Sequence, residues 1–311
     1  MTAPLVSVIL PTFNRLAYLR QAIDSVFAQS HADWELVIAD DGSEPETRAY
    51  LAGLAAGRRV RIIWLPHTGN PSVARNCALR SARGAFVAFL DSDDVWLPRK
   101  LEIQLAAHEA DPRRRWSYTG LARIDESGRF MPDTPRRYWV PFEGAIFEQL
   151  LTLEAVVATP SVIADRRLIE AAGGFDEQQL FFEEYDLWLR LIGLSEVTLI
   201  DEPLVLVRSH DQHYSADRVG VYEARARMLD KAQSRATTGR LRRVLRMERA
   251  KNSTRLAAAH AVYGRLPDVM QALWGGRDCA RRSFVWWGTA ARTVARAALR
   301  RPLAARRSVT P

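Results

Sequence analysis

Cysteine is scarce: Cys77 and Cys279 are the only two in 311 residues. Their separation fits no metal-ligand spacing and cannot staple a small fold, so two free thiols in a reducing compartment are expected. No uninterrupted apolar run reaches the ~18 residues of a spanning helix. Met1 to Leu10 has no basic segment leading into a long apolar stretch, so no secretory signal is expected and the chain is placed in the cytoplasm. The pattern G-x-G-x-x-G is missing, which argues against a dinucleotide-dependent oxidoreductase. The loop after the first apolar segment, Pro11-Thr12-Phe13-Asn14-Arg15, holds no glycine, unlike the glycine-rich basic loop of a sugar-phosphate nucleotidyltransferase.

What is present is ordinary globular material, 48% hydrophobic and 26% charged, long enough for one large domain and an appendage. The net charge of +8 is unevenly spread. From Val221 onward 21 Lys plus Arg face 5 Asp plus Glu, which leaves the first 220 residues acidic. No nucleic-acid recognition motif or aromatic-basic platform accompanies the basic stretch, so no nucleic acid is expected.

Apolar segments alternate with helical periodicity. Leu5–Leu10, Glu35–Ala39, Arg61–Leu65 and Ala85–Leu90 read as buried strands. Between them Arg15–Gln29 sets Leu16, Leu19, Ile23, Val26 and Phe27 on one helical face, and Ser72–Ala82 forms a second helix. Pro98 opens a third at its first turn. Such alternation predicts an α/β fold with a mostly parallel sheet covered on both faces. Trp116 to Pro160 is irregular, helices resume at Arg166–Ala172 and around Glu184–Leu194, and Val197–Ile200 with Leu204–Val207 reads as an antiparallel pair.

In parallel sheets ligands bind beyond the carboxyl ends of the strands. Three polar clusters fall there: Thr12-Phe13-Asn14-Arg15, Asp40-Asp41-Gly42-Ser43 and Asp91-Ser92-Asp93-Asp94. Carboxylates crowded at a buried strand end repel one another unless a cation or donor groups hold them. A divalent ion bridging to a diphosphate meets that need; a solvated turn with Asp94 capping the next helix meets it too.

These clusters, with Gly69-Asn70, Ala74-Arg75-Asn76, Gly84, Gly173-Gly174-Phe175-Asp176-Glu177 and Glu183-Glu184-Tyr185-Asp186-Leu187-Trp188-Leu189-Arg190, closely resemble in order and spacing the family-2 glycosyltransferases of GT-A fold. The resemblance covers about residues 5 to 215. It implies an inverting, metal-dependent hexosyltransferase using Mn²⁺ or Mg²⁺ and a UDP- or dTDP-sugar, with a glycan or lipid-linked acceptor, in bacterial cell-surface polysaccharide synthesis. Pro11, Thr12 and Asp41 would line the nucleobase pocket, Arg75 would approach the base or diphosphate, and Asp91 would face the ribose and metal side. Asp93, in the D-x-D motif, would be the direct metal ligand, and His210, in Arg208-Ser209-His210, could complete that site. The catalytic base, usually Asp, aligns with Glu184, one methylene longer; Glu183 or Asp186 could share its role. His67 and His213 read as surface loop residues, Asp186 and Arg190 as an ion pair, and Trp188 as core. The alternative reading is a catalytically weak nucleotide-binding or scaffold protein on the same fold.

The expected domains are a catalytic domain over 1–218 and a basic helical extension over 219–311. Ser283–Arg300 sets Phe284, Trp286, Trp287, Val294 and Leu299 among Arg292, Arg296 and Arg300. Such a helix suits an anionic membrane surface, making the protein peripheral at the inner face of the plasma membrane. It suits equally a packed helix or a dimer contact.

Overall fold

The structure, a computed structural model, describes residues 5–55, 57, 59–131, 140–209, 217–263, 265–276 and 284–299. The chain forms two compact units, 1–211 and 212–311.

The first unit is built on an eight-stranded mixed sheet. Its strands are β1 (Val6–Thr12), β2 (Trp34–Asp40), β3 (Val60–Trp64), β4 (Phe86–Phe89), β5 (Val95–Trp96), β6 (Trp116–Ile124), β7 (Ile163–Asp165) and β8 (Val197–Arg208). They lie in the order β3-β2-β1-β4-β7-β6-β8-β5. The first four run parallel, so Thr12, Asp40 and Phe89 all end at one edge. Chain direction reverses at β7, which is antiparallel to both β4 and β6. Seven helices accompany them: α1 (Leu16–Phe27), α2 (Pro45–Leu54), α3 (Pro71–Ser81), α4 (Lys100–Ala110), α5 (Phe147–Thr152), α6 (Arg166–Ala172) and α7 (Glu183–Leu191).

Alternation divides the core. Val6, Val8 and Leu10 of β1 join Leu36 and Ile38 of β2 against Leu19, Ala22, Ile23 and Val26 of α1 and Leu101 and Leu105 of α4. On the other face Phe89 meets Phe175 edge-on at 5.3 Å and Trp188 at 6.1 Å, and Trp188 stacks on Trp116 at 5.8 Å. Trp188 is fully buried and donates to the Val157 carbonyl, so its place is in the core. Phe27, by contrast, turns outward and meets Trp34 edge-on.

Between α4 and β6 lies a buried polar network. Lys100 Nζ donates to Gln104 Oε1 at 2.6 Å and sits 4.2 Å from the Trp96 ring, while Gln104 Nε2 donates to Ser117 Oγ and the Ser161 carbonyl. Burial holds the Lys100 amine well below the usual lysine range.

Three local expectations are corrected. Val197–Ile200 and Leu204–Val207 are one strand, β8, parallel to β6. Its register slips on either side of Gly120, opposite Pro203, and a bulge of this kind absorbs a proline that would otherwise end the strand. Pro98 precedes α4 in a turn, with Arg99 at the N-cap. Asp94 leads into β5 and caps no helix.

Gly84 ends the α3–β4 loop where two backbones nearly touch. A Cβ there would lie 2.5 Å from Ser7 N and 2.8 Å from Val6 C. Backbone cannot yield as a flexible side chain can, so Gly84→Ala is expected to cost about 3 kcal/mol or more, comparable to a severe core defect. Urea unfolding of the two proteins checks this; a difference below about 1 kcal/mol would show that the strands separate easily.

The second unit is helical: α8 (Arg218–Ala232), α9 (Gly239–Val262), α10 (Leu266–Gly275) and α11 (Phe284–Leu299). Ala257, Ala261, Val269 and Ala272 form its small core, and Val294 and Ala298 of α11 pack against it. Val294 and Ala298 are therefore engaged within their own unit. The side chains of Phe284, Trp286, Trp287, Arg296 and Leu299, and all of Arg300, lie outside the described residues, as do Cys279 and His213. No helix among the described residues is long and apolar enough to cross a membrane.

Candidate active site

Every residue predicted for the site and described by the structure falls at the carboxyl edge of β1, β2 and β4, on α3, or at the start of α7. After β1 the chain turns through Asn14 and Arg15, both left-handed at φ of 56° and 54°. This turn is fastened to the loop after β2. Asn14 N donates to Ser43 Oγ at 2.7 Å and Glu44 N to Asn14 Oδ1 at 2.8 Å. Asp41 N reaches the Thr12 carbonyl at 2.8 Å. Thr12 is buried, and Pro11 beside it is partly buried.

Asp41 organises the next loop. Its Oδ1 accepts from Thr68 N at 2.9 Å and Thr68 Oγ1 at 2.8 Å, and its Oδ2 accepts from Gly69 N at 2.9 Å. His67 Nδ1 lies 2.9 Å from the Asp41 carbonyl, and its ring stacks on Phe13 at 4.0 Å between centroids. Gly42, at φ +81°, leaves room for this contact: a Cβ there would stand 2.7 Å from His67 N. Asp40 is fully buried and accepts from Ser43 N.

Arg75 is the hub. It projects from α3, is buried, and donates from Nη2 to Asp91 Oδ1 at 2.8 Å and from Nη1 to Glu183 Oε1 at 3.1 Å. Its guanidinium also lies 5.2 Å from the Phe175 ring centroid. Burial alone would lower its pKa; Asp91 and Glu183 more than offset this and hold it above the usual arginine range. One planar fork thus ties the end of β4 to the first turn of α7.

Glu184 stands next to that tie. Glu183 is engaged by Arg75, and Asp186 is buried and paired with Arg190 at 2.7 Å. Arg190 also donates to the Gly174 carbonyl. Glu184 has no side-chain counter-ion bonded to it among the described residues. Removal from bulk water, with Glu183 and Asp91 nearby, pushes its carboxyl up to about 8, against the opposing pull of its own backbone N–H and of Arg75. α7 opens on Phe182 in the left-handed region at φ 59°, which sets the direction in which its first turn leaves the loop.

The acidic turn after β4 is divided among three arginines. Asp91 belongs to Arg75, and Asp93 Oδ2 accepts from Arg15 Nη1 at 2.7 Å. Asp94 is buried and accepts from Arg208 N at 2.9 Å. Desolvation and its two acidic neighbours raise the Asp94 pKa well above normal. The Arg208 side chain donates to the carbonyls of Asp93, Asp125 and Glu126 and to Gln21, and lies 4.5 Å from the Tyr18 ring centroid. It pins the acidic turn from behind. His210 lies outside the described residues.

Among the described residues no group of three or more His, Cys, Asp or Glu is gathered for a metal ion. A hard divalent ion bound together with substrate phosphates needs only one or two protein carboxylates. Asp91 and Asp93, two residues apart on one turn, supply oxygen donors of that kind, so the donor set fits such an ion provided Arg15 yields Asp93.

Sequence reasoning missed His67, Phe13, Arg15 and Arg208 as partners. Phe13 and Arg15 stood in a quoted motif without a role. His67 could have been suspected only from its place in the loop facing Asp41.

The family profile described as "Glycosyl transferase family 2" matches residues 7–171, which hold all of this edge except α7. An uncharacterised glycosyltransferase of Rickettsia prowazekii is 29% identical over 213 residues, 67% of this chain and 65% of that protein. The Escherichia coli UDP-Glc:alpha-D-GlcNAc-diphosphoundecaprenol beta-1,3-glucosyltransferase WfgD is 39% identical over 200 residues, 63% of this chain and 73% of that one. Against the Rickettsia relatives the chain spans two-thirds of their length or less. Among solved structures, S. aureus TarS 1-349 in complex with UDP aligns with a TM-score of 0.57 at 16% identity, over 89% of this chain and 91% of that one. The mannosyltransferase PcManGT from Pyrobaculum calidifontis, in complex with GDP-Man and Mn2+, aligns at 0.60 and 18% identity, over 96% and 87%. The fold is the GT-A fold of these enzymes with a helical C-terminal region. With more than half its length matched by the family profile, and that half carrying the acidic strand ends and Arg75, the chain belongs to glycosyltransferase family 2.

Proposed function

We propose that the protein transfers a hexose from a UDP- or dTDP-sugar to a hydroxyl of a glycan or lipid-linked acceptor, with inversion. The observation that carries this reading is the Arg75 bridge, because it ties the end of β4 to the first turn of α7, which carries Glu184. The donor class draws support from the UDP complex of TarS and the UDP-Glc of WfgD's name, and the acceptor class from the diphosphoundecaprenol in that name.

On this reading Pro11, Thr12 and Asp41 receive the nucleobase, with the His67–Phe13 stack beside it, and Arg75 and Asp91 hold the ribose and diphosphate side. Asp93, with His210, would hold Mn²⁺ or Mg²⁺, which supplies Lewis-acid stabilisation of charge on the departing diphosphate. Glu184 takes the acceptor hydroxyl proton as that oxygen bonds to the anomeric carbon. The bond from that carbon to the diphosphate oxygen breaks, and its electron pair leaves with the nucleoside diphosphate. A base whose carboxyl sits at about 8 has to give up its proton first, so transfer is expected to climb with pH up to that region. We further propose domains of 1–218 and 219–311 and a cytoplasmic location. The cationic C-terminal region would draw the protein to the inner face of the plasma membrane; failure of the full chain to float with anionic liposomes would refute that part.

The test is nucleoside diphosphate release from a panel of nucleotide sugars with Mn²⁺, with and without chelator. Release from one donor, lost with chelator and reduced at least ~100-fold in Asp93→Ala, is expected. Neither release nor metal-dependent nucleotide binding would leave a scaffold role as the better reading. His67→Ala, which removes a base-side ring but no charge from the turn, is expected to weaken UDP binding about fivefold and leave the thermal midpoint unchanged. Calorimetry of UDP binding reads the difference.

A further inference from the structure

The helical unit holds a cavity of about 490 Å³, walled by one face each of α8 and α9 and by the start of α10. Ligand sites typically enclose about 300–1,000 Å³. Two of its wall residues carry buried polar atoms with no hydrogen-bond partner among the described residues: Asn252 Oδ1 and His260 Nδ1. Both residues are more than nine-tenths buried. Asn252 Nδ2 donates to the Tyr222 carbonyl at 2.8 Å, which fixes the amide orientation and makes the orphaned atom an acceptor. His260 Nδ1 faces Asp268 Oδ2 at 3.8 Å, too far for a hydrogen bond.

These groups set the ligand's chemistry. An acceptor needs a donor, so a bare phosphate or carboxylate cannot satisfy Asn252. The ionic side chains around the cavity balance, Glu223, Asp230 and Asp268 against Arg227, Arg249 and Arg265, and Arg249 is already paired with Asp230 at 2.6 Å. The wall therefore gathers no cluster of like charge such as would hold a free anion or cation. The apolar lining is two alanines and Leu256, with no aromatic wall, which gives an apolar ligand little to bury against. A neutral, hydroxyl-rich molecule, offering both donors and acceptors, is what remains.

We infer that this cavity binds a saccharide unit, separate from the transfer site in the first unit. That the polyhydroxyl ligand is a sugar rests on the glycosyl-transfer reading; the need for a neutral donor does not. Neither orphaned atom is open to bulk water, so binding includes a side-chain adjustment that lets a hydroxyl reach the floor. In return the ligand relieves buried groups that are costly when unsatisfied.

The experiment uses the full chain and follows saturable binding of glucose, galactose, mannose, N-acetylglucosamine and rhamnose by saturation-transfer NMR, with glycerol as the control polyol. UDP affinity is measured in parallel on the same samples. At least one sugar is expected to bind saturably and more tightly than glycerol. Asn252→Leu should weaken it about tenfold, equivalent to ~1.4 kcal/mol. Because Asn252 also holds Tyr222, a second variant, Arg227→Ala with Gln271→Ala, alters only exposed side chains of the wall and should weaken binding severalfold. UDP affinity should be unchanged in both. No saturable binding of any of these sugars, an equal response to glycerol, or sugar binding untouched by both variants would overturn the proposal. Loss of UDP binding in the wild type would instead count against the glycosyl-transfer reading, so the two failures are distinct.

Discussion

Glu184→Gln is expected to lose transfer by about 10²–10⁴-fold, the usual contribution of a positioned base, and at the same time to stabilise the protein above neutral pH. The first effect follows from the proposed role, since an amide cannot take the acceptor's proton. The second follows from burial. In the folded chain without nucleotide the carboxyl is pushed up to about 8, against 4.5 in an ordinary setting. Between those values the folded state keeps a proton that the unfolded state has released. Stability must then fall as pH rises through the window, by up to about 1.4 kcal/mol per unit, with the full cost present above 8 and none below 4.5. Glutamine imitates the protonated carboxyl and removes that dependence. Urea unfolding at pH 4 and pH 8, with chelator and no nucleotide, should show equal midpoints at the lower pH and a more stable variant at the higher. Parallel curves at both would mean that the carboxyl ionises freely. Retained transfer would move the base to another carboxylate.

Arg75→Met is expected to lose about as much stability as Gly84→Ala, and nucleotide binding with it. It removes the shared counter-charge of Asp91 and Glu183 and leaves them clustered with Glu184. Breaking a buried ion pair from one side costs about 3–5 kcal/mol, and the lower end is expected here because Asp91 is about a quarter exposed. Arg75→Lys should not restore it, since a single ammonium lacks the two-pronged fork that reaches two carboxylates at once. The deficit has a pH signature of known sign. With the guanidinium gone Glu184 loses the positive charge that opposes its upward shift, so the variant recovers stability relative to wild type as pH falls from 9 to 7. Denaturant midpoints at the two pH values test this, and UDP binding should be lost in both variants. A uniform deficit across pH would point to lost packing against Phe175 in place of lost charge.

The two predictions rest on different kinds of legibility. Glu184 was readable because the segment Glu183-Glu184-Tyr185-Asp186 resembles a family motif. Its role in the proposed chemistry depends on which neighbour is neutralised, and that is not local. Arg75 touches Asp91, 16 residues on, and Glu183, 108 residues on; Arg15 meets Asp93 across 78 residues, and Asp94 meets the Arg208 backbone across 114. Nothing in a one-dimensional pattern separates Asp91, Asp93 and Asp94, which are three carboxylates on one turn. The folded chain gives each a different arginine. Asp94, expected as a helix cap or a solvated turn residue, becomes a buried acceptor because β5 takes the place of the helix.

Strand and helix alternation by itself determined the layered α/β core, since parallel strands buried on both faces must be continuous apolar runs and the helices covering them must be amphipathic. It also put the acidic clusters at one edge, because parallel strands end on the same side. Tertiary structure alone decided that β8 runs on through Pro203, where the register slips on either side of Gly120, and that Phe27 faces outward. It alone decided that His67 stacks on Phe13 and that Asn252 Oδ1 and His260 Nδ1 are buried beside a cavity with no partner among the described residues. The physical reason is the same throughout. Periodicity records which way a side chain points relative to its own backbone, whereas pairing, pKa and unsatisfied groups depend on what another part of the chain brings to meet it.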